Sequence, residues 1–456
     1  MPMLNENIYN APLYSSLIKY CEQNPSRFHM PGHKGAKSPL FDVFGKSLGL
    51  DVTELPETDN LFEETGAILE AERLAAEFYG TRETLFSAGG STLCIQAMLR
   101  LVSKGGGRII CARNIHRSAV NTMALLGIEP VFIWPEPFEG SALPGAVTAK
   151  KVEEAASKFS DACAVFLTSP DYYGIISDIK GISEVCQRHN LTLIVDNAHG
   201  AHLKLLEGNL HPIDNGADMV CDSAHKTLPA LTGGAFLHIN SSRFSKEEAK
   251  RAMTLFGSTS PSYLIMLSLD IARAWAAKEG KSAFRKLAQK VADIRVLCKS
   301  IGFYSPYNAV FDPVRITIDT ASCGITGNSA ALFMRKNGIS PEMSDERHLV
   351  LIPTPFNSDE DFERLKNALI SLKPGKPIPL KQYLPKKPEC VMPIKQAVFS
   401  ESIQRDIQDC VGRISAEAKC PCPPCIPLVM PGELITQEIA EALKSYGVLN
   451  IKVVQL

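Results

Sequence analysis

Apolar positions along the chain alternate between two periods. Leu13, Leu17, Ile18 and Cys21 recur at helical spacing and predict a helix within residues 8–24. Ile68, Leu69, Ala71, Leu74, Ala75 and Phe78 predict a second helix, and Ile95, Met98, Leu99 and Leu101 a third that starts beside Gly89 and Gly90. Between and after them stand short apolar runs at 108–112, 130–134, 164–168, 191–195 and 218–221, which read as buried strands, with a helical pattern at 148–158. Strands alternating with helices predict right-handed crossovers and a mostly parallel sheet whose ligands gather at one edge, where the strands end. A long amphipathic helix is expected over 264–300, closed by Gly302, and strand patterns at 314–318 and 349–352 open a smaller α/β unit. Lys373, Pro374, Pro377, Pro379, Pro385 and Pro388 mark an extended linker. The expected organisation is an N-terminal helix and interface segment (1–60), a large sheet domain (61–300), a small α/β domain (301–372), the linker (373–395) and a compact C-terminal domain (396–456).

Composition narrows the picture. A chain of 456 residues, 45% hydrophobic, can bury one large core and one or two smaller ones. A formal net charge of -1 gives no electrostatic reason to expect nucleic acid or an anionic membrane as partner. No apolar run approaches a membrane span, and Asn5, Glu6 and Asn7 do not resemble a signal peptide, so a cytoplasmic protein is expected. Thirteen cysteines, among them Cys94, Cys111, Cys163 and Cys221 in apolar segments, read as reduced core residues.

Chemistry concentrates at the strand ends. The run at 218–221 delivers Ser223-Ala224-His225-Lys226-Thr227, followed by Gly233-Gly234. A lysine among hydroxyls, an imidazole and small residues suits a Schiff-base lysine beside a phosphate; it also suits a surface lysine in a turn. Upstream, the run at 191–195 ends in Asp196-Asn197-Ala198-His199-Gly200. Such an acid can face the nitrogen of a pyridoxal phosphate (PLP) ring and keep it protonated, or it can simply cap a helix. Gly90-Ser91-Thr92 opens a helix with free N–H groups, the positive dipole end and two hydroxyls, as a phosphate cup or as an ordinary cap. A histidine follows the strand at 108–112, His116 in Asn114-Ile115-His116-Arg117-Ser118. Glu54 and Asp59, in an acidic turn-rich stretch, are either receivers for a substrate cation or solvated acids.

These stretches together resemble the PLP-dependent ornithine/lysine/arginine decarboxylases of fold type I, in their shorter bacterial form. The resemblance runs from His29-Met30-Pro31-Gly32-His33-Lys34-Gly35 through Asp51-Val52-Thr53-Glu54, Asn114–Ser118, Tyr172-Tyr173-Gly174, Asp196–His202, Ser223–Lys226 and Thr259-Ser260-Pro261-Ser262-Tyr263 to Pro431-Gly432-Glu433. It implies an α/β fold type I large domain binding PLP, with smaller α+β C-terminal domains. Lys226, Asp196, His116 and His225 are then the catalytic candidates, with His116 stacked on the ring opposite Ala198. Gly90, Ser91, Thr92, His199 and Ser223 join the cofactor's binding set, as do Thr259 and Ser260, which reach the phosphate in a partner subunit. The implied active site lies at a homodimer interface, or in a higher homo-oligomer, with the segment at 29–35 at its mouth. The implied substrate is arginine, lysine or ornithine, with Glu54, Asp59 and Glu433 as receivers of its distal cation, and the product is an amine feeding polyamine synthesis. His225 or Lys226 would donate the proton that quenches Cα after CO2 leaves.

Two departures stand out. Asn197 occupies a position where many short-form relatives carry Glu, which suggests an altered substrate preference or interface, and Cys425 stands where Gly is usual. Cys420, Cys422 and Cys425, with Cys410 as a distant fourth, form the arrangement nearest to a metal motif, but their Pro-rich context reads as a turn, and no metal is expected. Arg315 is a possible carboxylate-binding residue, or an exposed strand arginine. Another PLP reaction on the same fold, such as transamination, and a non-catalytic homologue are the alternatives to decarboxylation.

Overall fold

The computed structural model describes residues 10–136, 143, 145–304, 310–379, 387–420 and 426–455. Seven strands form the main sheet: β1 Glu83–Ser87, β2 Arg108–Ala112, β3 Glu129–Ile133, β4 Ala162–Thr168, β5 Thr192–Asp196, β6 Met219–Asp222 and β7 Ala235–Ile239, in the order β1-β7-β6-β5-β4-β2-β3. The pairs β2/β3, β2/β4 and β5/β6 are parallel, while β7 runs antiparallel to both of its neighbours. The five strands expected for this sheet form within two residues of their predicted ends. β1 and β7 were not expected, because each carries a polar residue at a buried position, Thr84 and His238, which interrupts the apolar run.

Helices follow the predicted spacing, and their ends have local causes. Thr148 caps Ala149–Lys158 by accepting from the Lys151 N–H, and Gly80, in the left-handed region, closes Ala67–Tyr79. The N-terminal helix is Pro12–Glu22. The helix expected over 264–300 is interrupted: Tyr263–Trp275 and Lys281–Ser300 are joined by a π-helical turn, Ala276–Gly280, and Gly302 follows at φ 89°.

By packing, the chain divides into two compact units, residues 1–101 with 194–283, and residues 102–193 with 284–456. The first holds β1, β6, β7 and the end of β5. The second holds β2, β3 and β4, a three-stranded sheet of β8 Ile316–Asp319, β9 Met343–Ser344 and β10 His348–Leu351, and a hairpin of β11 Ser402–Asp406 with β12 Asn450–Val454. The hairpin packs over a core of Ile407, Leu428, Ile435, Ile439, Leu443 and Ile451. Within the stretch expected as linker, 380–386 lies outside the described residues, and a helix, Ile394–Phe399, already begins at its far end.

Arg315 is not exposed. It is fully buried, 3.7 Å from the Asp312 carboxylate, and a Cβ on Gly174 (φ 99°) would come within 2.9 Å of its side chain, so the Tyr172-Tyr173-Gly174 turn needs glycine there. Described cysteines are free thiols, and Cys410 lies in the C-terminal core. Cys422 and Cys425 lie outside the described residues. Among the described residues, no helix is long and apolar enough to cross a membrane.

Candidate active site

In the first unit, β5 and β6 run parallel with Asp196 opposite Cys221, so both deliver their following residues at the same edge. Lys226 sits in a single helical turn, Ala224–Thr227, directly after β6. Its Nζ lies 3.0 Å from His199 Nε2. An ammonium or amine donating to that nitrogen leaves the imidazole proton on Nδ1. Asp196 is buried at 3% exposure, and its Oδ1 accepts from the Ala198 N–H at 3.1 Å. This bond shapes the turn that carries Ala198 and His199. His225 Nδ1 donates to the Gly234 carbonyl at 2.9 Å, which leaves Nε2 as its acceptor nitrogen.

The expected phosphate cup is built next to this lysine. Gly90 adopts φ 66° and donates its N–H to the Gly233 carbonyl at 2.8 Å, opening the helix Gly90–Ser103. Ser91 Oγ and Ser223 Oγ are 2.7 Å apart, so the helix start and the residue after β6 are hydrogen-bonded directly, while Thr92 is exposed. Thr259 and Ser260 are exposed in the loop before Tyr263–Trp275. An amine at a strand end, a carboxylate on the adjacent strand end, and a helix N-terminus lined by hydroxyls form the donor set that PLP requires, so these residues fit that cofactor.

Of the substrate-binding candidates, Glu54 keeps an accessible environment; its Oε2 accepts from Thr53 Oγ1 at 2.7 Å and it is only half-buried. Asp59 is spent elsewhere. Its carboxylate accepts from the N–H groups of Asn60, Thr65, Gly66 and Ile68 at 2.9 to 3.0 Å, holding the start of the helix Ala67–Tyr79. With four amide donors around it, Asp59 is a helix-start anchor and not a receiver for a substrate cation.

In the second unit, His116 caps the helix Arg117–Leu126, its Nδ1 accepting from the Ser118 N–H at 3.2 Å, with the side chain exposed. Three residues earlier, Arg113 is 1% exposed between the rings of Phe132 and Trp134, with its guanidinium carbon 4.9 and 5.0 Å from their centroids. Its two Nη atoms meet both oxygens of Glu433 at 2.5 and 2.7 Å, its Nε donates to the Pro427 carbonyl, and Glu433 Oε2 also accepts from the Met430 N–H. Glu433 therefore does not offer a carboxylate to substrate: burial and a bidentate arginine take both oxygens. A Pro-Gly-Glu turn cannot show by itself that its acid is paired with a residue 320 positions away.

A buried cluster in the first unit was not foreseen. Asp222, at the end of β6, accepts from Asn197 Nδ2 at 2.6 Å, His211 Nε2 at 3.0 Å and His238 Nε2 at 3.1 Å, and all four side chains are fully buried. Burial alone would raise the Asp222 pKa, but the charges and N–H donors of His211 and His238 outweigh it and hold the carboxyl well below the ordinary range. Burial pushes His238 the other way, below its usual value. Asn197 is thus an interior partner of Asp222, not a surface residue at an interface. The sequence signal was available only as a second acid and two isolated histidines.

The family model for the Orn/Lys/Arg decarboxylase major domain matches residues 11–302, and that for the C-terminal domain of the same family matches 381–450. The Bacillus subtilis uncharacterized protein YaaO is 33% identical over 95% of this chain and 94% of its own length. Arginine decarboxylase of the same organism is 31% identical over 94% of this chain and 92% of its own. The crystal structure of Francisella novicida lysine decarboxylase superimposes with a TM-score of 0.84 at 19% identity, covering 99% of this chain and 82% of that one, which shows the same fold. With a parallel sheet that ends in a lysine and an acid, and matches along nearly its whole length, the chain belongs to the Orn/Lys/Arg decarboxylase family and is a PLP-dependent decarboxylase.

Proposed function

We propose that the chain removes the α-carboxylate of a basic L-amino acid, with arginine the first substrate to test, since arginine decarboxylases are among its similar relatives. The observation that carries the reading is the placement of Lys226 Nζ 3.0 Å from His199 Nε2, at the edge where Asp196 ends the adjacent parallel strand. Bound PLP supplies an electron sink for the bond broken at Cα. Lys226 holds it by its amine, Asp196 keeps its ring nitrogen protonated, Ala198 allows close approach of backbone, and Gly90, Ser91 and Ser223 take its phosphate. His116 is assigned the stacking role that its motif implies. Lys226 Nζ, or His225 Nε2 once that ring has taken up a proton, supplies the proton that replaces the departed carboxylate at Cα. Glu54 is the remaining receiver for the distal cation.

Thr259 and Ser260 complete the phosphate anchor of a second copy, which makes a homodimer the working unit. The product, agmatine if arginine is the substrate, places the enzyme in polyamine synthesis in the cytoplasm. Titrating purified protein with PLP, and measuring CO2 from arginine, lysine and ornithine separately, tests the reading. A visible cofactor band lost in Lys226→Ala, with CO2 from arginine, is the expected result. A band with no CO2 from any of the three overturns the substrate class.

A further inference from the structure

We propose that Asp222 is a positioning residue for the cofactor site, acting through Asn197 and with His211 and His238 to lock the ends of β5 and β6. The proposal rests on the reading of Lys226 and Asp196 given above.

The geometry ties one carboxylate to both strand ends. Asn197 lies between Asp196 and Ala198, and it is joined to β6 twice: its backbone N–H donates to the Cys221 carbonyl at 3.0 Å, and its Nδ2 to Asp222 Oδ1 at 2.6 Å. On the other side, Asp222 is followed by Ser223, bonded to Ser91 at the helix start, and Lys226 lies four residues on, its N–H donating to the Ser223 carbonyl at 3.1 Å. A shift of Asp222 therefore moves the acid, the amine and the expected phosphate cup together.

Hydrogen-bond bookkeeping gives the protonation pattern. His211 Nδ1 accepts from the Ile213 N–H at 3.3 Å, so its Nε2 must carry the proton donated to Asp222. His238 Nδ1 lies 2.9 Å from Thr84 Oγ1, a hydroxyl able to donate, which lets its Nε2–H face the same carboxylate oxygen. Two imidazole N–H groups and an amide thus surround one anion. His211, Asp222 and His238 also have ligand atoms close enough to hold a metal ion. A metal ion there would displace both Nε2 protons, whereas the 3.0 and 3.1 Å separations, and the Asn197 amide on the second carboxylate oxygen, are those of N–H···O hydrogen bonds. A fully buried anion is expensive, and an apolar side chain would pack the same volume more cheaply. What the charge provides is a fixed direction for three donors drawn from β5, β7 and the turn that carries His211.

The test uses purified full-length protein, titrated with PLP after removal of bound cofactor, with Kd and the pH midpoint of the visible band as readouts. Asp222→Asn removes the charge, keeps a carbonyl oxygen for the two imidazoles and sets an N–H donor against the Asn197 amide. We expect at least a tenfold rise in Kd and a midpoint moved to lower pH, since a buried anion near the site is lost. The exchange Asp222→Asn with Asn197→Asp restores a donor facing an acceptor and returns the charge one residue from Asp196; recovery of Kd to within about threefold of wild type is expected. Should Asp222→Asn fail to fold by circular dichroism, Asn197→Ala, which deletes one donor and leaves the anion, should still weaken PLP several-fold. Wild-type Kd and midpoint in Asp222→Asn, no recovery in the exchange, unchanged binding in Asn197→Ala, or one equivalent of tightly held zinc in the purified protein would each overturn the proposal. A cofactor band that survives Lys226→Ala would instead overturn the assignment of the lysine.

Discussion

Two buried aspartates, one in each unit, differ in the sign of what burial does to them. Asp222 has three side-chain N–H donors on its two oxygens, and its carboxyl stays below the ordinary range. Asp171, in the loop after β4, directs Oδ1 to the N–H groups of Tyr173 and Ile175, but Oδ2 has no hydrogen-bond partner among the described residues. Burial pushes it up to about 7, against the pull of those backbone donors and of Arg315. Desolvation is common to both, and the two imidazoles facing Asp222, by charge and by hydrogen bond, decide the difference. Glu433 is a third solution, in which a single bidentate arginine takes both oxygens.

The largest effect expected is on Asp222→Leu, which strands three buried donors at once; a loss of about 3–5 kcal/mol in unfolding free energy is expected from denaturant titration, given about 1–3 kcal/mol for each unsatisfied group and partial relaxation. Glu433→Gln leaves the Arg113 charge buried without its partner and should cost about 3 kcal/mol in the same measurement. A smaller loss there than in Asp222→Leu would support the view that several N–H donors hold more tightly than one bidentate cation; the reverse order would refute it.

Asp171→Asn should stabilise instead. Its native pKa of about 7 lies above the unfolded value of about 3.9, so the native state binds the proton more tightly and stability falls as pH rises from about 4 to about 7. The variant should gain about 2–4 kcal/mol at pH 8 and almost nothing at pH 4. Asp222 has the opposite sign. Its contribution is present above pH about 4 and is lost as pH falls toward its depressed native value. Unfolding curves recorded across this range separate the two, and a wild-type pH profile that Asp171→Asn leaves unchanged would contradict the assignment. The smallest effect is expected for Ser91→Ala, about 1 kcal/mol in the apo protein, from the single bond to Ser223.

The sequence by itself determined the alternation of strands and helices and the residues at the ends of β5 and β6, because periodicity and strand-end position are local properties that the chain states directly. The motifs containing Lys226, Asp196 and Gly90 were legible for the same reason. Tertiary structure alone decided which acids were available. Asp59 and Glu433 had the right chemistry in the right kind of turn, but one is filled by amides up to nine residues away and the other by Arg113. No spacing rule encodes a partner that distant. The strands missed in the sequence show the same limit from the other side. Thr84 and His238 broke the apolar runs of β1 and β7, and in the fold they are hydrogen-bonded to each other, with His238 bonded on to Asp222. A polar residue reads as exposure in a sequence; only packing reveals that its partner is buried with it.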